Sequence, residues 1–109
     1  MVNRTASELV KWAWENRSGE LCKRDLRDIL SYFQDACLNG LVWVFESPTK
    51  AINGLVLATV SHETKEVYVS YCRILNTTTF KTAFKRMRDS YPGYTMLAHR
   101  YGALVKYPL

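Results

Sequence analysis

The chain has 109 residues and a formal net charge of +5, with 48% hydrophobic and 13% aromatic residues. That length fits one domain, residues 1–109, with a core large enough to need no staples, and the composition excludes a disordered or low-complexity chain. Three cysteines, Cys22, Cys37 and Cys72, with no Cys-x-x-Cys pair, argue against a zinc knuckle and against a secreted disulfide framework. No apolar run is long enough to cross a bilayer, and Met1 to Thr5 lack the apolar core of a signal peptide. A cytoplasmic protein with no membrane association and no metal site is expected. The basic balance favours anionic partners, nucleic acid among them.

Thr5-Ala6-Ser7-Glu8 has the spacing of a capping box and predicts a short helix to about Asn16. Leu9, Val10 and Ala13 share its inner face, with Trp12 and Trp14 on the flanks. Both tryptophans cannot point inward from one helix face. An exposed one would anchor a protein partner or a second copy of the chain. Asn16-Arg17-Ser18-Gly19 ends the helix with turn formers. Leu26, Ile29, Leu30, Phe33 and Cys37 then predict a second helix with one buried stripe, leaving Lys23, Arg24, Arg27, Asp28 and Gln34 outside it. Asn39-Gly40 supplies a left-handed closing residue.

The period changes at Leu41. Leu41–Glu46, Ala51–Val60 and Glu66–Leu75 are β-branched and aromatic runs separated by Ser47-Pro48 and by the polar stretch 61–65. They predict an antiparallel three-strand meander, with Gly54 at a bulge or a close backbone approach. In the third strand, strict alternation sets Val67, Val69 and Tyr71 against Tyr68, Ser70, Cys72 and Ile74. Both sets are apolar enough for a central strand. Asn76-Thr77-Thr78-Thr79 offers several N-caps for a third helix to about Asp89, with Phe80, Ala83, Phe84 and Met87 facing inward. Tyr91-Pro92-Gly93 turns the chain into two short strands, Tyr94–His99 and Ala103–Tyr107. The fold class expected is α+β: two N-terminal helices, the meander, a helix and two short strands.

Few residues suggest chemistry. His62 falls in a solvated loop. His99, at a strand end beside Arg100 and Tyr101, is a candidate general base. Cys72, in a strand, is expected to be core rather than a nucleophile. Lys81, Lys85 and Arg88 share a helical face with Arg86 at its side, and form an anion or nucleic-acid patch that Arg73, Tyr94 and Arg100 would extend.

The order of elements, with "EVYVSYCRIL" and then "NTTTFKTAFKRM" at the strand-to-helix junction, resembles the GCN5-related N-acetyltransferase (GNAT) fold. That resemblance implies a pantetheine arm along Tyr71 to Leu75 and cofactor phosphates at Thr77 to Lys81. Arg73, Leu75, Thr77, Thr78, Thr79 and Lys81 are then the cofactor-binding residues for acetyl-CoA. It further implies Glu46 as a base acting through water, and Tyr101 or Tyr107 as the acid that protonates the leaving thiolate. The family's phosphate loop carries glycines that let backbone amides close on an anion, and residues 75–81 contain none. The expectation is therefore a non-catalytic accessory or binding protein on a degenerate GNAT-like scaffold, without a cofactor. It is similar to shortened phage-encoded relatives, which would allow packaging in a virion. A minimal CoA-dependent N-acyltransferase and a small basic nucleic-acid-binding protein are the alternatives.

Overall fold

The computed structural model describes residues 5–16, 26–100 and 103–109. Readings that concern Arg17 to Gly19, Cys22, Lys23, Arg24, Tyr101 or the Arg100 side chain lie outside the described residues. The elements run α1 (Ala6–Glu15), α2 (Leu26–Asn39), β1 (Gly40–Glu46), β2 (Ile52–Ser61), β3 (Glu66–Ile74), α3 (Thr77–Ser90), β4 (Thr95–Arg100) and β5 (Ala103–Pro108). The strands form one mixed five-stranded sheet in the order β1-β2-β3-β4-β5. β1, β2 and β3 are the antiparallel meander. The α3 crossover makes β4 parallel to β3, and β5 returns antiparallel. The α+β class and the layout expected from the sequence are both present.

The sheet has a core on each face. Leu9, Val10 and Ala13 of α1 and Ile29 and Ala36 of α2 join Ile52, Leu55, Leu57 and Tyr71 on one side. Leu41, Val56, Ala58, Val67 and Met87 form the other, under α3. Alternation along β2 divides its side chains between the two, so the central sheet is apolar on both faces. No helix among the described residues is long and apolar enough to cross a membrane.

Thr5 caps α1 as its spacing predicts, with the Glu8 amide donating to Thr5 Oγ1 at 3.2 Å. The α2 stripe is rotated from the expected one. Ile29, Tyr32, Phe33 and Ala36 face the sheet, whereas Leu26 and Leu30 are each more than 40% exposed and Cys37 is exposed. Apolar residues cover more than one face of this helix, so the neighbouring sheet selects which of them are buried. Trp12 and Trp14 are both half-buried against the α1/α2 core, and neither stands out as an exposed anchor.

Two glycines do different work from each other. Gly40 is not left-handed; the positive-φ glycine is Gly93, at 81°, in the turn after α3. A Cβ on Gly40 would lie 1.8 Å from the Ala58 carbonyl oxygen. The residue is thus required by a close strand approach, not by a helix cap.

A bulge also changes the third strand. Leu57 pairs with Tyr71 and Ala58 with Val69, which leaves Ser70 as an extra residue on β3. The buried Ser70 hydroxyl donates to the Leu57 carbonyl at 3.1 Å. Past the bulge the alternation is reversed. Val67 and Val69 face α3, and so do Cys72 and Ile74, while Tyr71 faces α1 and α2. The strict alternation read from the sequence fails at this one residue.

Candidate functional site

The bulge coincides with the end of pairing between β3 and β4. β3 and β4 pair from Glu66↔Thr95 to Val69↔Ala98 and no further, although β3 continues to Ile74 and β4 to Arg100. A cavity of about 500 Å³ lies between α3 and the sheet, from Trp43 of β1 and Val56 of β2 across to β4 and β5, and it extends past the last paired residues, Val69 and Ala98, to Cys72, Ile74 and His99. Val69, Cys72 and Ile74 of β3 form one wall, and Met96, Ala98 and Tyr107 of β4 and β5 the other. Phe80, Ala83, Phe84 and Met87 form its roof. The predicted inner stripe of α3 is therefore correct in direction, but it does not close against the sheet. Ala83 and Met87 are buried, Phe84 is half-buried, and Phe80 is 51% exposed.

The charges on α3 divide between two flanks. The Arg86 guanidinium lies 4.6 Å from the Trp43 ring centroid and 5.9 Å from that of Phe45, toward β1. The Arg88 guanidinium lies 5.3 Å from the Phe84 ring on the other side of the helix. Such stacking holds each charge in place. Lys81 and Lys85 are exposed on the same strip as Arg88. The predicted basic face is thus two lysines with Arg88 at its edge, and Arg86 belongs to the opposite flank. A nucleic-acid role would rest on these few cations.

The turn into α3 is short and is capped by its own side chain at one amide. Only Leu75 and Asn76 separate β3 from α3. The Leu75 amide donates to the Asn53 carbonyl at 2.8 Å. Asn76, not a threonine, is the N-cap, and its Oδ1 accepts from the Thr79 amide at 2.7 Å. The Thr82 hydroxyl donates to the Thr78 carbonyl. Thr77 and Thr78 are exposed and Thr79 is half-buried. An amide that would face a phosphate at this helix start is already bonded to a side chain of the chain itself.

Arg73 lies away from this region. The reversed alternation sends it to the α1/α2 face, where its Nε donates to the Asn16 carbonyl at 2.7 Å. The Tyr71 hydroxyl donates to the Ala13 carbonyl at 3.1 Å. Both satisfy carbonyls at the C-terminal end of α1, where a positive charge is favoured by the helix dipole. Arg73 therefore neither extends the α3 patch nor stands with Thr77 to Lys81.

The catalytic candidates do not converge. Glu46 is exposed at the end of β1, beside the bulge that pairs Phe45 with Gly54 and Glu46 with Ile52, and does not line the cavity. His99 is exposed and borders the cavity, with its ring edge-on to Tyr68 at 5.8 Å. Tyr107 is half-buried in the cavity wall. His62 is exposed, as expected of a loop residue, but is bonded through Nδ1 to the Tyr94 hydroxyl at 2.7 Å. Among the described residues no group of three or more His, Cys, Asp or Glu side chains is placed to hold a metal.

Cys72 presents accessible surface to the cavity, yet the protein around the hollow crowds its thiol. Desolvation raises the thiol pKa to about 11, against a smaller lowering by the Arg73 charge. The thiolate is the reactive form, so Cys72 is a poor nucleophile at neutral pH. Alkylation of Cys72 by iodoacetamide, followed by peptide mass spectrometry, should accelerate with an apparent pKa near 11. A rate that levels off below pH 9 would mean an activated thiol. The linked stability effect has a definite sign. The folded chain holds this proton more tightly than the unfolded chain, so stability falls as pH rises from the ordinary thiol range toward 11.

No family model, no curated protein and no solved structure matches this chain.

The cavity itself was not legible in the sequence, because its walls come from residues such as Val69 and Ala98 that meet only through the crossover. The local hint was a helix carrying two phenylalanines around one alanine, Phe80, Ala83 and Phe84, above strands with little bulk at Ala98.

Proposed function

We propose that the chain is a non-catalytic binding protein on a degenerate GNAT-like scaffold, and that it works through the hollow under α3, which reaches the end of β3–β4 pairing. The observation that carries this reading is the combination of an open apolar cleft with a turn capped by its own side chain. The cavity of about 500 Å³ is the size of a small-molecule or side-chain site. The two-residue link into α3 is capped by Asn76, which speaks against a phosphate cradle there. The bound group is apolar, and Lys81 and Lys85 beside the roof favour one that carries an anion nearby.

The acyltransferase reading is favoured by one feature, the end of β3–β4 pairing at Val69, beyond which the β3 edge could take a pantetheine arm. Against it stand the capped turn, the turned-away Arg73 and the position of Glu46 outside the cavity.

A fluorescence titration with 1-anilinonaphthalene-8-sulfonate, an apolar body bearing one anion, tests the binding role. The expected result is saturable, one-to-one binding to the folded chain that weakens as salt screens the lysines. Absence of saturable binding would remove the cavity as a working site.

A further inference from the structure

We propose that the occupant of this cleft is an extended acidic peptide of a partner protein, which adds as a strand to the free edge of β3. This rests on the binding role just described and names its partner class. The edge is identified by the hydrogen-bond alternation of an antiparallel pair. The Leu75 amide points to β2, where it meets the Asn53 carbonyl. Along the same register, Arg73 and Tyr71 also direct their backbone groups to β2, opposite Leu55 and Leu57. Cys72 and Ile74 therefore direct their N–H and C=O groups the other way, to the side on which β4 pairs with β3 as far as Val69. Beyond Val69 that edge has no strand partner among the described residues.

An unpaired edge beside an apolar hollow has the two requirements of strand addition. Main-chain bonds supply affinity, and pockets for alternate side chains supply selectivity. A segment paired with Cys72 and Ile74 sends every second side chain toward α3, into the cavity lined by Phe80, Phe84 and Ala98. Charge selects the rest. Lys81 and Lys85 are exposed on α3 next to the roof, Arg88 lies over Phe84, and the whole chain carries +5. An acidic segment is attracted to this strip and a basic one is repelled.

Panning a display library of random ten-residue peptides against the full chain tests this. The expected enrichment is for acidic residues combined with apolar residues at every second position. The best binder, at saturation, should slow amide hydrogen exchange at Cys72 and Ile74 at least tenfold. The same peptide N-methylated at alternate amides should bind at least tenfold more weakly, since its side chains are kept and its strand bonds are lost. Enrichment of basic peptides, binding without protection of these two amides, or no enriched peptide at all would each overturn the proposal. Anilinonaphthalene sulfonate separates the two levels. If it binds and no acidic peptide does, strand addition fails and the cavity stands; if neither binds, both fail.

Discussion

Replacing Gly40 by alanine is expected to destabilise the chain by about 3 kcal/mol or more, the upper range for forcing extra volume into a fixed backbone. The added Cβ would lie 1.8 Å from the Ala58 carbonyl oxygen and 2.8 Å from the Thr59 Cα. These are backbone atoms of the neighbouring strand, so no side chain can rotate out of the way. β1 would have to withdraw from β2 at the Gly40↔Thr59 pair, next to the buried Leu41. Set against a typical total of roughly 5–15 kcal/mol, this is a large fraction. The melting temperature should fall by more than about 10 °C for a domain of this size. Gly93→Ala is the internal comparison. Its φ of 81° is strained for alanine, but nothing lies within 4 Å of the new Cβ, so the cost should be only about 1–2 kcal/mol. Equal losses for the two variants would mean that β1 does not approach Ala58 as described.

Ala98→Phe should have opposite effects on stability and on binding. Ala98 is half-buried in the cavity wall, where β4 last pairs with β3. A phenyl ring there occupies the space that a ligand would use. Denying a ligand the burial of one apolar side chain removes about 1.5–3 kcal/mol, or roughly 10- to 100-fold in affinity. Filling an existing hollow should leave stability unchanged or raise it by about 0.5–2 kcal/mol. Calorimetric titration with anilinonaphthalene sulfonate, beside a thermal melt, reads both quantities. Undiminished binding in a stable Ala98→Phe variant would place the ligand somewhere other than this cleft.

How far the fold could be read from the sequence depended on how local each determinant was. The helices and strands were legible because their signals lie within a few residues: the Thr5 cap, the run Leu41 to Glu46, the Pro92-Gly93 turn. Their faces were less so. On α2, Leu26 and Leu30 match the helical period as well as Tyr32 and Ala36 do, and the sheet decides between them. On β3, Ser70 carries no glycine or proline to mark a bulge, and the strand is apolar on both sides, so the reversal left no trace in the pattern. That reversal turned Arg73 from the expected site to the end of α1. Gly40 follows a helix and therefore resembles a cap; its real constraint is Ala58, which is distant in sequence. The candidate site is the least local feature of all, since its lining comes from α3 and all five strands.

The binding-only role is tested most directly by thermal melts of the full chain in increasing acetyl-CoA. A cleft without a phosphate cradle predicts an unchanged melting temperature up to millimolar cofactor. A ligand at 100 times its Kd adds about 2.7 kcal/mol, which in a chain of 109 residues raises the melting temperature by roughly 10 °C. A saturable rise of that size would contradict the binding-only role and favour an acyltransferase.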